Sequence, residues 1–188
     1  TPNVADMYQK NEKSKEFDFG SLTDSMEGKF RPGHFNGMAT VVEKFFNIIG
    51  PEIAFFGEKD LQQLQIVKAL VKKMQTSITV VGIPTIREKN GLAKSSRNKL
   101  LTKKERHEAS LIYKCLCYCK KNKNKRIVDL KSYVQFQFKN QETLELEYIE
   151  FVAIKNMKPI KKLKEKNKNA VCIAAYHSGI RLIDNIIL

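Results

Sequence analysis

The stretch that decides the fold is Ile53-Ala54-Phe55-Phe56-Gly57-Glu58-Lys59-Asp60-Leu61-Gln62-Gln63. Its apolar first half is bounded by Pro51 and Gly57, which is typical of a short buried strand. Its second half predicts the start of a helix. Asp60 is a favourable N-cap residue, and Gln63 stands at the spacing from which a side chain can reach back to the cap.

A helix and a second strand are predicted after this stretch. Apolar residues recur every three or four positions over residues 64–74, as on one face of a helix. The β-branched run at residues 78–83 ends at Pro84 and predicts the second strand. Such a βαβ unit binds ligands at the carboxyl ends of its strands. We therefore expect an anionic, phosphate-bearing ligand at residues 57–60, where Lys59 meets a helix N-terminus.

The rest of the chain predicts a smaller α+β unit. Thr102 and Glu105 have capping-box spacing and predict a helix that continues to Cys119, and a second helix is predicted over residues 128–141. Strands are predicted over residues 144–154, 170–176 and 181–188. These strands are expected to form an antiparallel sheet, so the fold class is α/β followed by α+β.

Composition narrows the classes of partner. The chain has 188 residues, 42% hydrophobic content and a formal net charge of +14. No apolar run approaches the length of a membrane span, so we expect a cytoplasmic protein without a membrane partner. The lysines crowd into residues 120–126 and 155–168, where asparagine alternates with them as in solvated loops. Because few aromatic residues lie among them, we favour solvated loops over a nucleic-acid site.

The four cysteines do not predict a metal site. Cys115, Cys117 and Cys119 alternate within a predicted helix, where residues two apart point to different sides. Cys172 lies in an apolar run. We therefore interpret all four as reduced, partly buried thiols in a reducing compartment.

Two loops carry candidate ligand-binding residues. The turn at Pro32-Gly33 exposes Arg31 and His34 just before a predicted helix, a pattern that fits a binding site and ordinary turn residues equally. The second loop is Lys94-Ser95-Ser96-Arg97. Its hydroxyls and cations suit phosphate oxygens, although the same residues fit a surface loop with a helix cap. If the second unit closes over the first, this loop meets residues 57–60.

These motifs resemble those of pantothenate synthetase (pantoate–β-alanine ligase). The matching segments stand in the family's order: Arg31-Pro32-Gly33-His34-Phe35, Phe56-Gly57-Glu58-Lys59-Asp60 with Gln62-Gln63-Leu64, Val81-Gly82-Ile83-Pro84 followed by Arg87, Gly91-Leu92-Ala93 with Ser95-Ser96-Arg97-Asn98, and Arg181-Leu182-Ile183-Asp184-Asn185. The resemblance implies a partial Rossmann-like, nucleotidyltransferase-type parallel sheet over residues 1–84, which binds nucleotide and pantoate. A small α+β lid domain with an antiparallel sheet would follow over residues 85–188.

The resemblance also implies an activity. Members of the family use ATP as a substrate to convert pantoate to pantoyl adenylate, releasing pyrophosphate. The amine of β-alanine then displaces AMP and gives pantothenate. Because activation brings two anions together, cationic groups must offset their repulsion. Magnesium accompanies ATP in the family, and its members are commonly homodimers.

Individual roles are carried over by the same resemblance. The residues expected to bind the ATP phosphates and serve catalysis are Lys59, Ser95, Ser96 and Arg97. Other expected ATP contacts are Gly57 and Asp60, at the ribose, together with Ile86 and Lys94. The substrate-binding residues are expected to be Gln63, which would hydrogen-bond pantoate, and Arg31 and His34, which would line the pantoate or β-alanine side. No residue of this chain is assigned as a metal ligand.

The chain departs from the family pattern in two ways. Lys94 stands where the family usually has an apolar residue, and it either adds a charge at the nucleotide or points to solvent. The family's amino-terminal part, with its His-x-Gly-His motif and the residues near Mg²⁺, is not in these 188 residues. The remaining Mg²⁺ ligands would be phosphate oxygens. We therefore expect exposed apolar edges around residues 53–56 and weak or no activity from the isolated chain.

Other functions compete with this interpretation. One is a nucleotidyl-transferring domain that acts on a carboxylate other than pantoate. Another is a basic, noncatalytic nucleic-acid-binding module, which the net charge of +14 would favour. A truncated sequence, a split enzyme and a decayed remnant all fit the retained motifs.

Overall fold

The computed structural model describes residues 13–163 and 168–188. The helices are α1 (Glu27–Phe30), α2 (His34–Ile49), α3 (Leu61–Lys73), α4 (Lys103–Ala109), α5 (Leu111–Lys121) and α6 (Ile127–Lys139). The strands are β1 (Ile53–Gly57), β2 (Thr79–Ile83), β3 (Leu144–Ala153), β4 (Asn169–His177) and β5 (Ile180–Ile187). Short 3-10 turns span Gly20–Thr23, Glu58–Asp60 and Ser96–Leu100. None of the helices in this described part combines the length and apolarity that crossing a bilayer requires.

Two sheets confirm the predicted α/β class. Strands β1 and β2 are parallel, with Ile53 opposite Thr79 and Gly57 opposite Ile83, and α3 is the crossover between them. Strands β3, β4 and β5 form an antiparallel sheet in that order. The carboxyl end of β1 therefore presents the turn that follows Gly57, as the sequence predicts.

The start of α3 differs from the prediction in its capping. Asp60 occupies the N-cap position, but its side chain makes no capping hydrogen bond. Its carboxylate lies 3.6 Å from Lys59 Nζ instead. Asp60 belongs to the 3-10 turn that precedes the helix, and this turn directs the carboxylate toward its charged neighbour. Asp60 thus stands at the predicted N-cap position, but its carboxylate contacts Lys59 instead of the helix backbone.

The helix predicted to run from Thr102 to Cys119 is two helices. The capping box itself is confirmed, because Thr102 and Glu105 each bond the other's backbone N–H. The interruption is at Ser110, whose hydroxyl donates a 2.6 Å hydrogen bond to the carbonyl of His107. A serine side chain that bonds the preceding turn competes with helix continuation, and this local competition accounts for the break.

Strand β1 is only half-buried, so the prediction of a buried strand is wrong for two of its residues. Ile53 and Phe55 are 51% and 65% exposed. Ala54 and Phe56 point the other way and pack on a cluster that includes Phe46. The predicted exposure of apolar side chains around residues 53–56 is confirmed.

The largest apolar cluster fills the space between α5, α6 and the antiparallel sheet, with Leu116, Leu130 and Phe151 among its buried members. A second cluster joins Leu61 and Leu64 of α3 to residues that include Val152, Met157, Ala170 and Cys172. It therefore contains residues from both sides of the predicted boundary at residue 84. The division into residues 1–84 and 85–188 stays a prediction.

The cysteines are arranged as the sequence predicts. Cys115 and Cys119 face the core, whereas Cys117 between them is half-buried on another side of α5. Cys172 is buried in β4. Burial raises the pKa of the Cys115, Cys119 and Cys172 thiols to about 12. These three side chains therefore behave as small apolar groups.

Candidate functional site

A cavity of about 300 Å³ lies where α2, the β1–α3 turn, the loop before α4 and strand β5 meet. It brings together most of the site residues that the sequence predicts: Arg31, His34, Lys59, Asp60, Gln63, Ser95, Ser96 and Arg97. These residues come from three separate segments of the chain. The Ser95-Ser96-Arg97 loop therefore lies at the same cavity as the turn after β1.

Three predicted ATP contacts do not line this cavity: Gly57, Ile86 and Lys94. Gly57 ends β1 next to the cavity wall, and a Cβ atom built on it would meet no heavy atom within 4 Å. Ile86 and Lys94 are both exposed. They lie side by side, because the backbone N–H of Lys94 donates to the carbonyl of Ile86 over 2.9 Å. In this arrangement Lys94 points to solvent.

The β1–α3 turn supplies a cation and an amide to the cavity. Lys59 keeps only 19% of its side chain exposed, and its ammonium lies 3.6 Å from the carboxylate of Asp60. Gln63 follows on the first turn of α3, half-buried against the same cavity. An ammonium and a neutral amide on neighbouring turns can bind a phosphate and a hydroxyl or carboxyl group, respectively.

The adjacent Gln62 has a different role, which the sequence did not indicate. Its amide is buried and bonds three backbone groups: Oε1 accepts from Glu27 N at 3.0 Å, and Nε2 donates to the carbonyls of Leu22 and Ser25 at 2.7 and 2.9 Å. Gln62 therefore fixes the segment before α1 against α3. Both glutamines line the cavity, but the amide of Gln62 is engaged with three backbone groups.

The loop before α4 combines both interpretations that its sequence left open. Ser95 Oγ accepts a 3.2 Å hydrogen bond from Arg97 N and so caps the 3-10 turn. Ser95, Ser96 and Arg97 nevertheless line the cavity. Arg97 Nη1 donates to the carbonyl of Arg181 over 3.0 Å, which ties this arginine to β5. The cap shapes the loop that presents the cation.

Arg31 and His34 form a contact at the start of α2. The left-handed backbone of Gly33, with a φ of +77°, turns the chain into the helix between them. Arg31 Nη1 lies 3.0 Å from His34 Nε2, so the ring nitrogen accepts and the imidazole is neutral in this contact. Burial and the charge of Arg31 lower the pKa of His34. The pair thus presents one cation and one uncharged ring.

Glu27 is a functional candidate that the sequence reasoning missed. Arg181 donates two hydrogen bonds to it, at 2.6 and 2.7 Å, and the hydroxyl of Tyr148 donates a third at 3.0 Å. Burial opposes ionisation of Glu27, but these contacts with Arg181 outweigh it and lower the pKa of the carboxyl. Arg181 is shared with Glu147 at 2.5 Å. Glu27 and Tyr148 both line the cavity, and Arg31 lies 3.6 Å from Glu27.

Strand β5 contributes Asp184 and Asn185 to the lining of the cavity, and both side chains bind neighbouring segments. Arg87 binds the buried carboxylate of Asp184 through bonds of 2.5 and 3.1 Å, and its guanidinium lies 3.9 Å above the ring of Tyr113. The next residue, Asn185, donates from its amide to the carbonyls of Glu58 and Lys59, both at 2.8 Å. The resemblance had matched Asp184 and Asn185 without giving them a role.

The arrangement suits an anion flanked by neutral polar groups. Arg31, Lys59 and Arg97 supply cations from three segments, which is what a polyphosphate beside a carboxylate requires. Among residues 13–163 and 168–188, no group of three or more His, Cys, Asp or Glu side chains is arranged to hold a metal ion.

Comparison with known proteins agrees with the motifs. A family model described as pantoate-beta-alanine ligase matches residues 1–187. Pantothenate synthetase from Christiangramia forsetii is 44% identical over 194 residues, covering 100% of this chain and 67% of the relative. The crystal structure of pantothenate synthetase from Thermus thermophilus gives a TM-score of 0.90 at 32% identity and covers 98% of this chain and 67% of that one.

A second solved structure carries ligands. It is pantoate-beta-alanine ligase from Francisella tularensis, complexed with beta-gamma ATP and beta-alanine, with a TM-score of 0.70 at 32% identity over 94% of this chain and 59% of that one. The chain thus spans about two thirds of the length of the curated relatives. With its motifs in order, its charged cavity and a family match over nearly its whole length, the chain belongs to the pantoate–β-alanine ligase family, a family of ligases.

Proposed function

We propose that this chain carries the ATP-dependent activation of pantoate and its condensation with β-alanine, through a pantoyl-adenylate intermediate. One observation carries the proposal: Lys59 and Arg97 line the same cavity as Gln63. These are the two cations and the amide that the reaction needs around a triphosphate and a hydroxy acid. The ligands named for the Francisella tularensis relative, beta-gamma ATP and beta-alanine, support the same assignment.

In the first step, a carboxylate oxygen of pantoate attacks the α-phosphorus of ATP. A C–O–P linkage forms, the bond between the α-phosphorus and the bridging oxygen breaks, and pyrophosphate leaves with the electron pair. Lys59 and Arg97 bind the phosphates, where negative charge accumulates on the leaving group, and Ser95 and Ser96 donate hydroxyl hydrogen bonds. Gln63 orients pantoate.

In the second step, the amine of β-alanine attacks the acyl carbon of pantoyl adenylate. The ammonium form of β-alanine gives one proton to solvent to produce this amine. The C–N bond then forms, the bond from the acyl carbon to the phosphate oxygen breaks, AMP leaves, and the attacking nitrogen loses a second proton to solvent. Arg31, which lines the cavity, would bind a substrate carboxylate on this side. His34, which is neutral beside it, provides a polar wall without repelling the ammonium form of β-alanine.

The nucleotide contacts at Gly57, Asp60, Ile86 and Lys94 remain part of the proposal. Asp60 lines the cavity, and Gly57 leaves open space where a ribose could approach the backbone. Ile86 and Lys94 are exposed and lie outside the cavity, so their share of nucleotide affinity would be small unless the loop that carries them moves toward the nucleotide. Mg²⁺ would enter with ATP and neutralise phosphate charge. We also propose that the protein is a homodimer and that it is cytoplasmic. The four free thiols support the second of these proposals, because they fit a reducing compartment.

The test is pantoate-dependent exchange of labelled pyrophosphate into ATP. Because the chain spans two thirds of its relatives, exchange is measured on the chain alone and on the chain joined to the remaining amino-terminal third of the Christiangramia forsetii relative. We expect exchange from the joined protein that requires pantoate, and its loss in the double variant Lys59→Ala/Arg97→Ala. Replacing pantoate with other hydroxy acids in the same assay tests the alternative that the protein adenylates a different carboxylate.

A charge-matched control is Lys123→Ala/Arg126→Ala, in an exposed loop far along the chain from the cavity residues. This variant should keep full exchange. Exchange that survives the Lys59→Ala/Arg97→Ala variant, or that runs equally fast with another carboxylate, would remove the proposed roles or the proposed substrate, respectively.

A further inference from the structure

Strand β5 touches both segments that present cations to the cavity. Asn185 donates from Nδ2 to the carbonyls of Glu58 and Lys59, at 2.8 Å each. Asp184, its neighbour, binds Arg87, which lies on the segment that leads to Ser95. These neighbouring side chains therefore contact two segments that are otherwise separated by α3 and β2.

We infer that Asp184 and Asn185 are positioning residues that set the spacing between Lys59 and the Ser95-Ser96-Arg97 loop for a triphosphate. This inference rests on the proposed function and concerns the same cavity. Asn185 acts through the backbone of Lys59, because its amide fixes the two carbonyls of the 3-10 turn that carries the ammonium. Asp184 acts through Arg87 on the other cation-bearing segment.

The burial of these contacts gives them the rigidity that positioning requires. Asp184 and Asn185 are 3% and 6% exposed, so water competes weakly for their hydrogen bonds. Arg87 makes two further backbone contacts, to the carbonyls of Gly91 and Asn185 at 3.2 and 3.3 Å, which fix its guanidinium in one orientation. An error of about 1 Å in such a frame can lower catalysis strongly.

The carboxylate of Asp184 does not oppose an anionic ligand in this arrangement. Both of its oxygens accept hydrogen bonds from Arg87, and Oδ1 also accepts from Asn185 N at 2.8 Å. The negative charge is thus neutralised by a partner that faces it. Asp184 and Arg87 together add no net charge to the cavity, so Asp184 does not compete with a phosphate for Lys59 or Arg97.

The test is a double-mutant cycle on ATP affinity, measured by isothermal titration calorimetry on the chain joined to the amino-terminal third of the Christiangramia forsetii relative, as in the exchange assay. Asn185→Leu keeps the shape of the side chain and removes its donor. We expect it to weaken ATP binding about tenfold, and to have no further effect when Lys59 is already alanine, because residues that act through one another are not additive. Asp184→Asn should also weaken ATP binding. This weakening should disappear when Arg97 is already alanine and should persist when Lys59 is already alanine.

The matched control is Asn122→Leu, since Asn122 also donates from its amide to a carbonyl, that of Tyr118 at 2.9 Å, but lies outside the cavity. This variant should leave ATP affinity unchanged. Asn185→Ala serves as the second variant if Asn185→Leu unfolds, with thermal unfolding measured on each protein. A merely structural role would lower stability without the background dependence.

The outcomes separate the inference from the proposed function. If the joined protein binds no ATP, or if Lys59→Ala leaves its affinity for ATP unchanged, the proposed function fails and the inference fails with it. If Lys59→Ala weakens ATP binding but Asn185→Leu does not, only the positioning role is overturned. The same holds if Asn185→Leu weakens ATP binding equally in the wild-type protein and in the Lys59→Ala variant.

Discussion

Glu27 and Arg181, 154 residues apart in sequence, hold each other through two hydrogen bonds of 2.6 and 2.7 Å. Their side chains are 9% and 12% exposed, so this pair is largely removed from water. It connects α1 to strand β5, and its Glu27 lines the cavity. The contact therefore joins segments that are far apart in sequence at the edge of the candidate site.

Removing the charge of Glu27 should destabilise the fold. For Glu27→Gln we expect a loss of about 2 kcal/mol in the free energy of unfolding, measured with urea, because Arg181 loses a buried partner but keeps Glu147. The control is Asp129→Asn, which removes an exposed pair with Arg126 and should leave the unfolding midpoint unchanged. Equal effects of the two changes would contradict the role given to burial.

The same carboxylate makes stability depend on acidity. Burial opposes the ionisation of Glu27, but Arg181 and the Tyr148 hydroxyl outweigh it and lower the pKa below the ordinary 4.5. The ionised form stabilises the native state above pH 4.5, and this contribution is lost as the pH falls through the lower native pKa. The stability difference between wild type and Glu27→Gln should therefore shrink below about pH 4.5. Urea unfolding at several pH values measures it, and a difference that stays constant well below that pH would be the contrary result.

The imidazole of His34 should titrate below its ordinary pKa of 6.5. Burial and then the charge of Arg31 lower that pKa. Arg31→Gln removes the neighbouring charge, so the pKa should rise, as followed by NMR of the ring. Protonation of His34 as the pH falls below 6.5 costs the native state stability, and this cost should be smaller in the variant.

The control for this titration is Arg126→Gln, which removes an arginine charge from an exposed site on a different part of the chain. It should leave the His34 titration in place. A His34 pKa that does not respond to Arg31→Gln would show that the 3.0 Å contact does not persist in solution.

Substitution by alanine should change the free energy of unfolding in opposite directions at Gly91 and Gly37. At Gly91, with a φ of +93°, a Cβ would lie 2.2 Å from Tyr113 Cδ1, so Gly91→Ala should destabilise by about 2 kcal/mol. It should also disturb Arg87, which stacks on that ring. Gly37 lies inside α2 with no atom within 4 Å of an added Cβ, and Gly37→Ala should stabilise by about 0.5 kcal/mol. Urea unfolding measures both. A Gly91→Ala variant as stable as wild type would contradict the strain assigned to Gly91, and a destabilised Gly37→Ala variant would contradict the open space at Gly37.

Lys94 should contribute little to nucleotide affinity, because it is exposed and outside the cavity. We expect Lys94→Met to change the dissociation constant for ATP by less than about twofold. Lys59→Met in the same calorimetric assay should weaken binding about tenfold. A large loss from Lys94→Met would instead place this lysine at the bound nucleotide and require its loop to move.

The elements that sequence predicted best are those with local signals. The capping box at Thr102 and Glu105 sets the start of α4, and the left-handed Gly50 ends α2, as expected from adjacent residues alone. The break at Ser110 was not predicted, because a serine that bonds its preceding turn looks like any other helix residue in sequence. The apolar run of β1 by itself predicted a buried strand, and only the resemblance to the family led us to expect exposed side chains there, since exposure depends on what packs against the strand.

Some residues of the candidate site could likewise be predicted from local motifs, whereas others could not. Lys59 and the Ser95-Ser96-Arg97 loop carry short motifs, so their meeting at one cavity could be expected from the sequence. Glu27 lies in an aperiodic stretch, and its partner Arg181 is 154 residues away, so no local pattern indicates the pair. The roles of Asp184 and Asn185 depend on side-chain direction at the end of β5, which a motif match does not contain.

The outward-facing Ile53 and Phe55 on β1 affect how the molecules behave toward one another in solution. At low ionic strength, the formal charge of +14 keeps molecules apart and prevents these apolar side chains from meeting. Added salt shortens the range of that repulsion, to about 10 Å at roughly 0.1 M, while leaving hydrophobic attraction in place. Colloidal stability of this protein is therefore set by a balance between long-range repulsion and short-range adhesion, and dilute buffer favours the dispersed state.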